Sequence, residues 1–181
     1  MIATKKQLLL DGETPYSIRN KISKGVLFLV ERGLFSDKAN PYFDEAYICA
    51  KYPNAIITGL SAFYYYDLTD QIPKDIHVAT VQHSYPIRRK GVIQSYQEPS
   101  FFSIGRTMIK VESGYINIYD IERTLIELIR LREKYPAELY YEVMGSFRKI
   151  KDKIDFYKVQ QYLKAFPREG AYILLKIKEV I

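Results

Sequence analysis

The sequence contains no tryptophan and only one cysteine, Cys49, among its 181 residues. A single thiol excludes a disulfide framework and a thiolate metal cluster, and it fits a reducing compartment. Cys49 itself reads as a small buried apolar residue. Long hydrophobic runs are also missing. The charge-free stretch Tyr52 to Tyr66 is broken by Pro53 and Gly59 and falls short of the roughly 20 residues that cross a bilayer. The opening MIATKKQLLLDGE sets three leucines behind two lysines, too short an apolar block for a secretory signal. The expectation is a soluble, cytoplasmic protein without a membrane partner. Catalytic signatures are equally scarce: there is no GxSxG, no glycine-rich phosphate loop and no HExxH, and Ser61 in GLSAF lacks the second glycine of a nucleophile elbow. His77 and His83, with Asp75 nearby, lack the further acidic or cysteine partner that a metal needs. No metal, no cofactor and no enzymatic activity are expected.

What is present is apolar and basic. Apolar residues make up 48% of the chain, enough for a real core. The formal charge of +6 and a pI near 9.2 make a polyanion a plausible partner, although such a charge also serves solubility. Seventeen tyrosines and nine phenylalanines include the cluster FYYYD at Phe63 to Asp67. Tyrosine pairs an apolar ring with a polar tip, which suits half-buried or partner-binding surfaces and equally a tyrosine-rich core.

Along the chain the pattern predicts an α+β protein. Thr4-x-x-Gln7 is a capping box ahead of Leu8, Leu9 and Leu10, and Asp11-Gly12 closes that helix. A second short helix starts on Thr14 as N-cap with Pro15 at its first position, and ends at Lys24-Gly25. The run Val26 to Val30, a turn at Glu31-Arg32-Gly33 and Leu34-Phe35 read as a hairpin. The polar stretch Ser36 to Glu45, with Asn40-Pro41 inside it, predicts a domain boundary, giving domains at 1–38 and 45–181. Beyond it come helical segments around FDEAYICAKY and TGLSAFYYYDL, then the strand-like DIHVATV, GVIQSYQ, TMIKVES and GYINIYD, which form a small sheet. From Asp120 the period becomes helical, through DIERTLIELIRLREKY, PAELYYEVMGSFRKI and DFYKVQQYLKAF; the final AYILLKIKEVI is ambiguous between helix and strand.

The second helix carries the functional argument. At about 100° per residue, Ile18 and Ile22 form one core-facing stripe. Asn20, Tyr16, Ser23 and Lys24 then lie opposite, with Arg19 and Ser17 on the flanks. Asn and Arg read base edges, and Ser, Tyr and Lys bond phosphates. A recognition helix presents its N-terminal half to the major groove, and the hairpin behind it would place Arg32 at a wing tip beside the backbone. The candidate DNA-binding residues are therefore Tyr16, Ser17, Arg19, Asn20, Ser23, Lys24 and Arg32. Residues 1–38 hold seven basic side chains (Lys5, Lys6, Arg19, Lys21, Lys24, Arg32, Lys38) against four acidic ones (Asp11, Glu13, Glu31, Asp37). Two further clusters have simpler readings. Glu122, Arg123 and Glu127 resemble an active cluster, but Arg123 and Glu127 are spaced as a helix-supporting pair. The block FRKIKDK, Phe147 to Lys153, joined by Lys158 and Lys164, reads as a solvated face or as a polyanion surface.

The order of these pieces resembles the AbiEi family of antitoxins from type IV abortive-infection toxin–antitoxin systems, over nearly the whole chain. The residues carrying the resemblance are Arg32, Gly33, Leu34 and Phe35 closing the wing, Ser61, Ala62 and Leu68 in the next helix, and Asp120, Arg123, Thr124 and Leu125 at the start of a later one. It implies a winged helix-turn-helix that represses its own operon by binding operator DNA, followed by a mixed α/β domain with a small sheet and C-terminal helices that counters a nucleotidyltransferase-like toxin. It does not imply stable contact with that toxin. A full winged helix-turn-helix carries a further helix ahead of the one at Thr4, where this chain has three residues. Either that helix has been lost or the start shown is truncated. The alternative reading is a protein-interaction module without DNA binding of its own.

Overall fold

A computed structural model describes residues 1–180 and divides the chain into two compact units: Met1–Ala55 with Met108–Asn117, and Ile56–Thr107 with the chain from Ile118 onward. The fold is α+β, with a small mixed sheet and a helical C-terminal part.

The first unit runs β1 (Ile2–Thr4), α1 (Lys5–Leu10), α2 (Pro15–Ser23), β2 (Phe28–Glu31), β3 (Leu34–Ser36) and α3 (Glu45–Lys51). Both short helices start on capping boxes, Thr4 with Gln7 and Thr14 with Ser17. Both end in paired reverse bonds: Gly12 N–H to Leu9 and Glu13 N–H to Leu8, then Gly25 N–H to Ile22 and Val26 N–H to Lys21. This motif needs a left-handed residue after the cap, supplied by Gly12 and Gly25. β1 pairs antiparallel with β3, and β3 with β2, in the order β2-β3-β1. The hairpin turns tightly at Arg32-Gly33, and its register shifts between Leu29 and Glu31.

Around these elements Ala3, Leu8, Ile18 and Leu27 make a small core, with Met1 and Phe35 against it. The expected Ile18–Ile22 stripe is not what forms. Ile18 is buried, but Ile22 is 38% exposed. The reversal after Lys24 ties the amides of Val26 and Leu27 to the Lys21 carbonyl, and Leu27 joins Ile18 in the core. Of the three leucines in α1, only Leu8 is buried; Leu9 and Leu10 are exposed. The polar stretch read as a boundary lies within this unit. Asp44 caps α3 through the Tyr47 amide, and the helix packs on β1, burying Ala46 through Ala50.

The second unit runs β4 (Ile56–Ile57), α4 (Gly59–Tyr65), β5 (Ile76–Val81), β6 (Val92–Gln97) and α5 (Pro99–Phe102). A hairpin follows, β7 (Arg106–Val111) and β8 (Gly114–Tyr119), which supplies residues to both units, and then α6 (Ile121–Arg130), α7 (Ala137–Lys149), α8 (Phe156–Leu163) and α9 (Gly170–Val180). The ambiguous C-terminal segment is therefore helical. In this unit β4 pairs antiparallel with β5 and parallel with β8, and β5 pairs parallel with β6. In the first unit Gly114 of β8 pairs with Ile2. The main core joins Phe63 and Leu68 to Leu125, Leu128, Val143, Phe147, Val159 and Ile173 on the helices, an arrangement their 3.6-residue periodicity dictates.

One backbone position controls how β7 meets α6. The Gly105 carbonyl accepts the Asp120 amide at 2.7 Å. At φ +73°, a Cβ on Gly105 would lie 2.5 Å from the Arg123 Cβ. Gly105→Ala is expected to destabilise the protein by about 2–5 kcal/mol, combining left-handed strain with overpacking. Gly12→Ala, where a Cβ meets nothing within 4 Å, should cost only about 1–2 kcal/mol. Urea unfolding of the two variants measures both.

Candidate nucleic-acid interface

The local chemistry of α2 sorts the candidate residues into two groups. Tyr16 is 76% exposed, and Arg19 is exposed with its Nε donating to the Pro15 carbonyl at 3.3 Å. Asn20 is half-buried; Lys24 and Arg32 are exposed at the helix end and the hairpin turn. The serines differ. The Ser17 hydroxyl accepts the Thr14 amide and lies within donating distance of Glu13 Oε2 and the Thr14 carbonyl, so it serves the helix cap. The Ser23 hydroxyl donates back to the Asn20 carbonyl at 2.9 Å. Their place as phosphate contacts is taken by internal bonds, because short hydroxyl side chains on a helix find nearby backbone acceptors first.

Tertiary structure also sorts the charges. Every acidic residue of the first 38 has a cationic partner. Asp11 accepts Lys110 at 2.7 Å and the Tyr115 hydroxyl. Glu13 holds Lys21, Glu31 holds Lys51 at 2.7 Å and the Tyr47 hydroxyl, and Asp37 holds the α-amino group of Met1. The hydrogen bond from Lys110, then that from Tyr115, hold Asp11 below the usual carboxylate range. Those from Lys21 and Ser17 do the same for Glu13. Of the seven basic residues only Lys21 is drawn into such a pair. Lys5, Lys6, Arg19, Lys24, Arg32 and Lys38 are exposed and make no ion pair among the described residues. The partners Lys51, Lys110, Tyr47 and Tyr115 lie far along the sequence, so no local pattern signals them.

The clusters of the second unit resolve differently. Arg123 has no solvent exposure. Its guanidinium pairs with Glu127 at 2.8 Å, donates to the Phe101 carbonyl at 2.7 Å, and lies 4.6 Å from the Tyr119 ring centroid and 4.9 Å from that of Phe166. Glu127 also holds Arg130 at 2.7 Å, whose other partner is Gln97. Asp120 caps α6 through the Arg123 amide and accepts the Tyr162 hydroxyl and Lys158. Burial works against the Lys158 ammonium, but hydrogen bonds to Asp120 and Glu122 outweigh it and raise its pKa. Lys158 therefore belongs to this network and not to the basic block, of which Lys149, Lys151 and Lys153 are exposed and Phe147 is buried. His77 is half-buried and its pKa is depressed, chiefly by desolvation. His83 sits at φ +66° in a turn. Among the described residues no group of three His, Cys, Asp or Glu side chains could hold a metal, and no helix is long and apolar enough to cross a membrane.

Glu127→Ala should cost about 3–5 kcal/mol in urea unfolding, because it strands the buried Arg123 guanidinium and removes a partner of Arg130. The triple replacement Arg123→Met, Glu127→Leu, Arg130→Met should fold with stability within about 2 kcal/mol of the parent, since a buried ion triad exchanged for apolar groups is near neutral. A parent-like Glu127→Ala would remove the network from its structural role. Compared with known proteins, the chain matches no family model and no curated protein.

Proposed function

We propose that the protein is an antitoxin of a type IV toxin–antitoxin system that also represses its own operon. The first unit binds operator DNA, and the second counters a nucleotidyltransferase-like toxin. The observation that carries the reading is the charge sorting of the first unit: its early acids are tied down internally while six cations stand exposed, two on α1, two on α2 and its cap, one at the hairpin turn and one just after β3. An interface for the phosphate backbone needs cations that no neighbouring carboxylate holds.

Topology supports it as well. The succession β1-α1-α2-β2-β3 with sheet order β2-β3-β1 is compatible with a winged helix-turn-helix in which α2 is the recognition helix and β2-β3 the wing. α3, packed on β1, buttresses the sheet, and its Tyr47 and Lys51 fix Glu31 beside the hairpin turn. In this reading Arg19 and Asn20 select bases, Tyr16, Lys24 and Arg32 hold phosphates, and Lys5, Lys6 and Lys38 add to the field that draws DNA in.

A second reading, a protein-interaction module, is favoured by the exposed apolar side chains Leu9, Leu10, Val26 and Leu29 of the same unit. Salt separates the two. Binding of the protein to its own promoter should weaken steeply with salt, and Lys24→Ala with Arg32→Ala should flatten the log–log slope by roughly 0.9 for each phosphate that is no longer neutralised. Arg19→Ala with Asn20→Ala should abolish operator preference in a footprint while circular dichroism stays unchanged. Absence of promoter binding at low salt would instead establish the module.

A further inference from the structure

β5 and β6 are adjacent and parallel, yet no helix joins them. Parallel neighbours require the chain to return along the sheet, and this task usually falls to a crossover helix. Here residues 82–91, QHSYPIRRKG, make the return as an irregular strap. The strap is fastened at three points. The Ile87 amide donates to Gln94 Oε1 at 2.6 Å, Gln94 Nε2 donates to Thr80 Oγ1 at 2.7 Å and to the Tyr85 carbonyl at 3.3 Å, and the Ile87 side chain is buried. With Gln94 as its anchor the strap lies over the face of β6 that also carries Tyr96, two residues on.

What the fastened strap holds outward is aromatic and cationic. Tyr85 is 94% exposed, Tyr96 is about half exposed, and Arg88 and Lys90 are exposed without an ion pair among the described residues. From Ile76 to Gln97 the chain contains no Asp or Glu, although it contains Arg88, Arg89 and Lys90. Proline at position 86 and the bonds to Gln94 reduce the conformational freedom that a ligand would otherwise have to remove.

We propose that this strap is a binding surface for single-stranded nucleic acid, separate from the operator-binding unit and independent of that assignment. Cations on a segment that carries no carboxylate of its own can follow a phosphate backbone, and protruding tyrosines offer the π-face on which unpaired bases stack. A duplex hides those base faces. A protein partner would have to be markedly acidic to complement the same surface.

The test uses the full chain and fluorescence anisotropy with labelled oligothymidylate and oligouridylate of about twelve nucleotides, a length within single-strand site sizes. Both should bind, and the stronger of the two identifies DNA or RNA as the source. Tyr85→Ala with Arg88→Ala and Lys90→Ala should weaken single-strand binding at least tenfold and change promoter-duplex affinity less than twofold. Arg19→Ala with Lys24→Ala and Arg32→Ala should do the reverse, so each surface can fail without the other. Tyr85→Ala alone should weaken single-strand binding about fivefold or more, with Tyr85→Phe within twofold of the parent, because stacking needs the ring and not the hydroxyl. Absence of single-strand binding, or undiminished binding by the strap variant, overturns the proposal. So does an equal loss on single strand and duplex, which marks a general electrostatic patch. Loss of toxin neutralisation with oligonucleotide binding intact overturns it in favour of a protein partner.

Discussion

The second unit is organised around a charge that water cannot reach. The Arg123 guanidinium packs on the Tyr119 and Phe166 rings, pairs with Glu127, and donates through Nη1 to the carbonyls of Phe101 and Ile104. Those groups come from three stretches of the chain: residues 101–104, the β8–α6 segment that holds Tyr119 and Glu127, and Phe166. Taking an ion out of water costs several kcal/mol, so the arrangement holds only if all its partners arrive together. The constraint reaches further through Glu127 to Arg130 and Gln97, and through the shared turn of α6 to Asp120, Glu122, Lys158 and Tyr162. The helices of the C-terminal part therefore dock in one register on α6, and β6 and α5 are held to the same helix by polar bonds as well as by apolar packing.

In the first unit the governing constraint is electrostatic economy at small size. Around α1 and α2 the buried cluster is slight, Ala3, Leu8, Ile18 and Leu27, and polar ties add to it. The ion pairs Glu13–Lys21, Glu31–Lys51 and Asp11–Lys110 provide them. Exposed pairs of this kind contribute little each to stability. Their consequence for function is larger, since they place the negative charges beside chosen cations and leave the remaining cations to the solvent face. The same pairs that brace α1, α2 and the hairpin thus leave an excess of exposed cations that the modest net charge does not convey.

Much of the local structure was legible. Thr4-x-x-Gln7, Thr14-Pro15, Gly12 and Gly25 set the limits of α1 and α2 because caps act within a few residues. Asp120 marked the start of α6 for the same reason. Alternation in DIHVATV and GVIQSYQ indicated strands, but periodicity carries no information on partners, so the parallel pairing of β5 with β6 and the strap it requires were not visible. The wheel put Ile22 inside because it treats a helix as if its apolar side always has a neighbour. The chain reversal instead brought Leu27 beside Ile18. For the candidate set on α2, exposure of Tyr16, Arg19 and Lys24 agrees with the wheel, while Ser17 and Ser23 turn their hydroxyls to the backbone.

Sequence alone determined where α1, α2 and α6 begin, that the chain is α+β and basic, and that Arg123 and Glu127 stand one helical turn apart, since all of these depend on neighbours within a few residues or on composition. Only the tertiary structure decided which charges are spoken for. Whether Lys24 differs from Lys158, or Arg19 from Arg123, depends on carboxylates, carbonyls and rings contributed from distant positions, and electrostatic energy falls off with distance in space, not along the chain.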